Sequence, residues 1–275
     1  MANLLTFNQI SKNDVPLVGG KGASLGEMIK AGIPVPPGFV ITTDTYKRFC
    51  DQELPIDIQE EIISAFDRLG VERVAVRSSA VAEDSLSASW AGQLESYLNI
   101  KREDLIKNIR ECWQSIKSEG ALTYATEQSI NEDQLLVAVV VQKMVDSQAA
   151  GVMFTNNPIT KNPHEIIIEA GFGLGEMLVQ GMITPDNFLV DKDDLEIKQS
   201  NISSQETMLT YRDGENKEVK LPQDKINAPA LTEDQVKELA QLGIKIEEHY
   251  QSPQDIEWAL EDNLLYILQS RPITA

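Results

Sequence analysis

Toward its C-terminal end the chain reads Asp255-Ile256-Glu257-Trp258 and then Gln269-Ser270-Arg271-Pro272. Two carboxylates, an amide and a guanidinium thus recur at alternate positions, and alternate positions of a strand share a face. The apolar alternation of Ile256, Trp258 and Leu260 predicts one strand, and residues 264–268 predict a second. Glu261-Asp262-Asn263 between them is turn-like, because Asp and Asn tolerate left-handed backbone. With a three-residue loop, Glu257 falls opposite Gln269 and Asp255 opposite Arg271. All of these groups then share a face that can hold Mg²⁺ together with a polyphosphate. A two-residue loop breaks that register and sends the groups to opposite faces. A polar solvent face on an edge hairpin is the other reading of the same residues.

Further segments carry chemical potential. In Val18-Gly19-Gly20-Lys21-Gly22-Ala23-Ser24 the glycines allow backbone N–H groups to approach a phosphate, and a helix starting near Ala23 adds its positive end. Gly20 and Lys21 are the binding candidates there, although a plain glycine turn fits as well; the spacing is not that of a Walker A loop. Val76-Arg77-Ser78-Ser79-Ala80, continuing through Glu83, Asp84 and Ser89-Trp90-Ala91-Gly92-Gln93, puts Arg77 at a strand end beside a small-residue loop able to fold over phosphates. A surface salt bridge from Arg77 to Glu83 or Asp84 is the alternative. Gln142-Lys143-Met144-Val145 ends an apolar run, where backbone groups can meet an adenine edge between apolar neighbours, or simply close a core strand. Glu169 precedes Gly171-Phe172-Gly173-Leu174-Gly175-Glu176, which is not a dinucleotide fingerprint and suits either close ligand approach or a tight turn.

These residues must be held by elements. Helices are expected over residues 23–31, from Thr43 or Asp44 to Cys50, over 56–69, over 103–119, and from a Thr232 cap through His249. Strands are expected over 73–77, over 165–169, and as a hairpin of 188–190 with 196–200. Residues 135–145 and 151–155 read as paired strands joined at Asp146-Ser147, and residues 211–230 as a loop-rich excursion. Strands and helices alternate without βαβ regularity, so an α+β chain of two lobes is expected over a doubly wound sheet.

Composition narrows the classes. The chain has 275 residues, 42% hydrophobic and 6% aromatic, enough for a real core. A formal net charge of −19 argues against a nucleic-acid or anionic-membrane surface, while leaving room for an anionic ligand in a locally cationic cleft. The N-terminus has no signal-type core, and the most apolar run, residues 135–141, is too short to span a bilayer. Cys50 and Cys112 lack metal-type spacing, so a reducing cytoplasmic setting is expected. His164 and His249 read as surface residues.

Taken in order, residues 18–37 (VGGKGASLGEMIKAGIPVPP), 74–85 (VAVRSSAVAEDS), 151–160 (GVMFTNNPIT), 169–176 (EAGFGLGE) and 255–272 resemble the nucleotide-binding domain of phosphoenolpyruvate synthase and pyruvate phosphate dikinase. The resemblance is collinear over about residues 4–274. Rifampicin phosphotransferase and glucan, water dikinases share the module. The resemblance implies an ATP-grasp fold over residues 1–275, with ATP held between a first lobe of about 1–141 and a second of about 142–275. It implies that Lys21 and Arg77 grip phosphates and that Arg271 stabilises the transferring group. Glu257 and Gln269 are expected to ligate Mg²⁺ with support from Asp255. Gln142, Lys143, Met144 and Val145 are expected to meet adenine, and Glu169 to reach toward nucleotide or metal. The chemistry implied is transfer of the β-phosphoryl group of ATP to a histidine on a separate swivelling domain, leaving AMP. No Thr/Ser-His-Ala carrier motif is present, so a piece of a longer protein and a single-domain relative acting in trans are both consistent. A catalytically silent nucleotide-binding regulator, an antibiotic or glucan phosphotransferase domain, and a carboxylate-activating ATP-grasp ligase are the competing functions.

Overall fold

The computed structural model describes residues 2–81, 84, 85, 88, 89, 95–127 and 135–273. The chain divides into two compact units, Met1–Lys30 with Pro36–Met144, and Ala31–Val35 with Val145–Ala275.

The first unit contains β1 (Leu4–Thr6), α1 (Val15–Lys30), β2 (Gly38–Ile41), α2 (Thr43–Phe49), α3 (Ile56–Leu69), β3 (Arg73–Ala80), the short ribbon β4 (Asp84–Ser85) and β5 (Ala88–Ser89), β6 (Ser96–Lys101), α4 (Leu105–Ser115), α5 (Glu119–Glu127) and β7 (Val137–Lys143). Its main sheet runs β1-β2-β7-β3-β6, antiparallel throughout. The central strand β7 explains the apolar run, because it is covered on both faces. Val139 and Val141 join Phe39, Val74 and Val76 in a core with Ile62, Phe66, Ile109 and Trp113, whereas α1 lies against β7 and β3.

Several expectations change here. The predicted 103–119 helix is α4, which stops at Ser115, and a separate helix, α5, begins at Glu119. The cap of α2 is Thr42, whose hydroxyl accepts from the Thr45 N–H. Residues 135–145 and 151–155 are not paired, since β7 is flanked on both edges by β2 and β3 and has no free side for a further strand.

The second unit contains β8 (Ala149–Phe154), β9 (Glu165–Phe172), α6 (Glu176–Val179), β10 (Asp186–Asp191), β11 (Ile197–Asn201), β12 (Thr207–Arg212), β13 (Glu215–Lys220), α7 (Glu233–Tyr250), β14 (Gln254–Glu261) and β15 (Leu264–Pro272). Its large sheet runs β11-β10-β9-β8-β14-β15, again antiparallel. Thr232 caps α7 in a capping box with Gln235. This helix packs on one sheet face so tightly that a Cβ on Gly243 would meet the Met153 side chain at 2.8 Å. The first part of the expected loop excursion is instead a hairpin, β12 with β13, turned at Asp213-Gly214, whereas residues 221–230 hold neither helix nor strand. Two antiparallel sheets with flanking helices make the chain α+β.

Candidate nucleotide and metal site

In the first unit the glycine segment lies inside α1, not ahead of it. Gly19 has φ 71° and ψ 174°, which breaks α1 into two helical segments across a kink. Only glycine takes that conformation without a steric cost, and a Cβ there would also lie 2.2 Å from the Ser79 carbonyl oxygen. The Ser79 hydroxyl closes the break, donating to the Val18 carbonyl at 2.9 Å and accepting from the Gly22 N–H at 3.1 Å. Lys21 follows the break and is buried, 8% exposed.

Arg77 is in the middle of β3, because that strand runs on to Ala80; it is not at a strand end. Its pairing opposite Val140 and Ser96 puts it on the same sheet face as Ala75 and Ser79. Arg77 is buried, 9% exposed. Burying cations is costly without anionic or acceptor company, so Lys21 and Arg77 are not casual surface charges. Glu83 and residues 90–93 lie outside the described residues.

Residues 142–145 close the first sheet. Gln142 is buried opposite Ala75 and Gly38, and its amide reaches the Pro36 carbonyl at 3.4 Å. The N–H of Lys143 donates to Pro37 and that of Met144 to Arg73. Those two donors are therefore occupied within the protein. Val145 begins the second unit and packs with Ala150 and Ala259, next to Tyr266 and Leu268.

In the second unit the register is the informative feature. Glu257 pairs with Gln269 and Asp255 with Arg271, as a three-residue loop required. Yet the loop has only two residues, Asp262 and Asn263, both with positive φ, because Glu261 already pairs with Leu264. A bulge reconciles the two facts. Between the Glu257–Gln269 and Trp258–Ile267 pairs, Leu268 is the extra residue of β15, which shifts the register by one residue.

The row extends across the sheet. Glu257 pairs with Val152 of β8, and Val152 pairs with Glu169 of β9. Directly opposed residues share a face, so Glu169, Val152, Glu257 and Gln269 form one line, with Asp255 and Arg271 one step along it. This face is opposite the one that Met153 presents to α7.

Burial governs the carboxylates on this face. Arg271 donates from Nε and a terminal nitrogen to one Asp255 oxygen at 2.9 and 2.7 Å. Even so, burial raises the Asp255 carboxyl above its ordinary value; Arg271 opposes that shift and Glu257 adds to it. Burial likewise raises Glu169, and the charge of Asp255 adds to it. Desolvation is the largest cause of both shifts, and repulsion between the carboxylates adds to it. Among the described residues no three His, Cys, Asp or Glu side chains form a preformed cage.

The 171–176 segment has a packing role that sequence reasoning left open. Gly173 has φ 77°, and a Cβ there would lie 2.3 Å from the Leu209 carbonyl oxygen, against the β12–β13 hairpin. Sequence reasoning missed Gln205. Its buried amide accepts from the Phe172 N–H at 3.0 Å and donates to Asp186 at 3.2 Å, bracing β9 just beyond Glu169. It also missed the role of Ser79, although the extended Ser78-Ser79 pair after Arg77 was the available signal.

Comparison with known proteins adds an independent line. The family model for the pyruvate phosphate dikinase AMP/ATP-binding domain matches residues 15–54 and 49–275. A probable phosphoenolpyruvate synthase of Methanocaldococcus jannaschii is 41% identical over 98% of this chain and 26% of its own length. Its counterpart in Archaeoglobus fulgidus is 40% identical over 98% of this chain and 41% of its own length. The phosphoenolpyruvate synthase of Aeropyrum pernix is 39% identical, over 98% and 42%. The chain thus spans less than half the length of these relatives. A solved D-alanine–D-alanine ligase of Bacillus anthracis complexed with ATP aligns over 89% of this chain and 52% of its own, at 8% identity and a TM-score of 0.38, too distant to carry weight. Among the described residues no helix is long and apolar enough to cross a membrane.

Proposed function

This chain belongs to the pyruvate phosphate dikinase AMP/ATP-binding domain family, and from that premise we propose that it binds Mg·ATP as the phosphoryl-donor part of a phosphoenolpyruvate synthase-like dikinase. The observation that carries the reading is the aligned row of Glu169, Glu257 and Gln269 beside the Asp255–Arg271 pair. Phosphoryl transfer relies on positioning and charge compensation more than on protein nucleophiles. The residues offered here are of that kind.

In this reading Lys21 and Arg77 contact phosphate oxygens, and Gly20 permits close backbone approach. Glu257 and Gln269 hold Mg²⁺, with Asp255 and Glu169 shaping the charge around them. Bound there, Mg²⁺ would neutralise phosphate charge. The raised carboxyls of Glu169 and Asp255 support the fit, because a cation relieves the repulsion that burial leaves on this face. Arg271 serves two carboxylate-facing donors now and has the planar fork that a transferring phosphoryl group needs. Gln142, Lys143, Met144 and Val145 border the adenine. With the Lys143 and Met144 N–H groups engaged, adenine recognition there falls to carbonyls, side chains and apolar contact.

The acceptor is a histidine on a separate domain, in cis or in trans, which takes the β-phosphoryl group and leaves AMP. No nucleic acid or membrane is a partner in this reading, and the setting is cytoplasmic. Calorimetric titration of the chain with ATP, with and without Mg²⁺, is the direct test. Mg²⁺-dependent heat is expected, and no heat or thermal shift at millimolar ATP sinks the proposal.

A further inference from the structure

We propose that Ser79 is a positioning residue for Lys21, acting through the glycine break in α1; the inference rests on the Mg·ATP reading above. The Ser79 side chain is fully buried and uses both capacities of its hydroxyl, donating to Val18 and accepting from Gly22. Those two backbone groups flank the segment made of Gly19, Gly20 and Lys21. The break at Gly19 interrupts the helical hydrogen bonding across it, and Ser79 supplies a bridge over the gap. Contact is close on the other side too, since a Cβ on Gly19 would lie 2.3 Å from the Ser79 hydroxyl oxygen.

Lysine is a point charge on a flexible stem, so its aim depends on how firmly its backbone is held. Ser79 fixes that backbone from β3, the strand that also carries Arg77 two residues earlier on the same face. One strand therefore sets the spacing of both cations. Removing the hydroxyl leaves Val18 and Gly22 without this partner in a buried place and releases the base of Lys21, while Lys21 itself remains.

The test is a double-mutant cycle read by calorimetric Mg·ATP titration of the 275-residue chain. Lys21→Ala is expected to weaken binding by at least about tenfold, the loss of one charge-assisted contact. Ser79→Ala is expected to weaken it by about fivefold, as one hydrogen-bonded bridge is lost. In the double variant the Ser79 change should add almost nothing, because the group it positions is gone. Fully additive losses overturn the inference, as does a Ser79→Ala chain that binds like the parent. If Lys21→Ala binds like the parent, the phosphate-site reading falls and takes this inference with it. If only additivity fails to break, the reading stands and the positioning role alone falls. Should Ser79→Ala not fold, hydrogen exchange in the parent decides: slow exchange of the Gly22 amide supports the bridge, and fast exchange overturns it.

Discussion

At the scale of single residues, the acidic face of the second sheet is governed by burial first and ion pairing second. Asp255 has a guanidinium on it and still sits above its ordinary carboxyl value. Arg271→Ala leaves that half-buried carboxylate without its donors beside Glu257, and unfolding in denaturant should show a loss of about 1–3 kcal/mol, toward the lower end because Arg271 is partly exposed. Arg271→Lys should recover only part of it, since lysine lacks the fork. Equal stability in all three proteins would contradict the pairing. Glu169 gives a pH signature of definite sign. Its carboxyl is raised in the folded chain, so its contribution is full below the ordinary glutamate range and is lost as pH rises through the raised value. Glu169→Gln removes that loss. The variant should therefore melt higher than the parent at pH 7, without ligand, and the gap should close toward about pH 4. A gap that widens on acidification has the wrong sign for this account.

At the scale of elements, the site depends on how closely strands approach. A Cβ on Gly151 of β8 would lie 1.9 Å from the Glu169 carbonyl oxygen. Gly151→Ala must then push β9 away from β8 and disturb the line through Val152 to Glu257. An overpacking cost of about 1–3 kcal/mol is expected in denaturant melts, together with weaker Mg²⁺ dependence of ATP binding. An unchanged melt would show that the sheet accommodates the methyl group and that the close approach does not matter. The β14–β15 hairpin makes the same point by another route. Its Asp262-Asn263 turn fits the right-handed twist of paired strands, and its bulge at Leu268 keeps Gln269 and Arg271 on the acidic face despite the short loop. Leu268 thereby joins Val145, Ala150, Ala259 and Tyr266 beside that face.

At the scale of the whole molecule, the cations proposed to bind phosphate belong to the first unit, and the carboxylates proposed to hold the metal, with Arg271, to the second. In the proposed reading the phosphoryl acceptor is supplied by another domain, and the chain spans less than half the length of its relatives. Alone, the chain should hydrolyse ATP slowly at most. Given a family histidine domain, and ATP labelled in its β-phosphoryl group, label should move to that domain with release of AMP. A fused version is the control for weak association, because tethering raises the effective concentration to about the millimolar range. Robust ADP formation by the isolated chain with a small-molecule acceptor would refute the dikinase assignment and favour a kinase or ligase.

The sequence by itself determined the α+β class, the α3 helix to the residue and the Thr232 cap of α7, and it offered the pairing of Glu257 with Gln269 and Asp255 with Arg271 as one of two registers. These rest on local periodicity, capping chemistry and alternation, which act over a few residues. Only the tertiary structure decided the rest, because it turns on contacts between distant segments. Pairing of β7 with β2 and β3, and of β8 with β9 and β14, is set by which strand edges are left to fill. The alignment of Glu169 with Glu257 exists only because β8 lies between them. The short turn with its compensating bulge gives the expected pairing by an unexpected path, since loop length and register are separate variables once a bulge intervenes. Ser79 closing the break at Gly19 joins residues 61 and 57 positions apart, a contact that only the fold brings about.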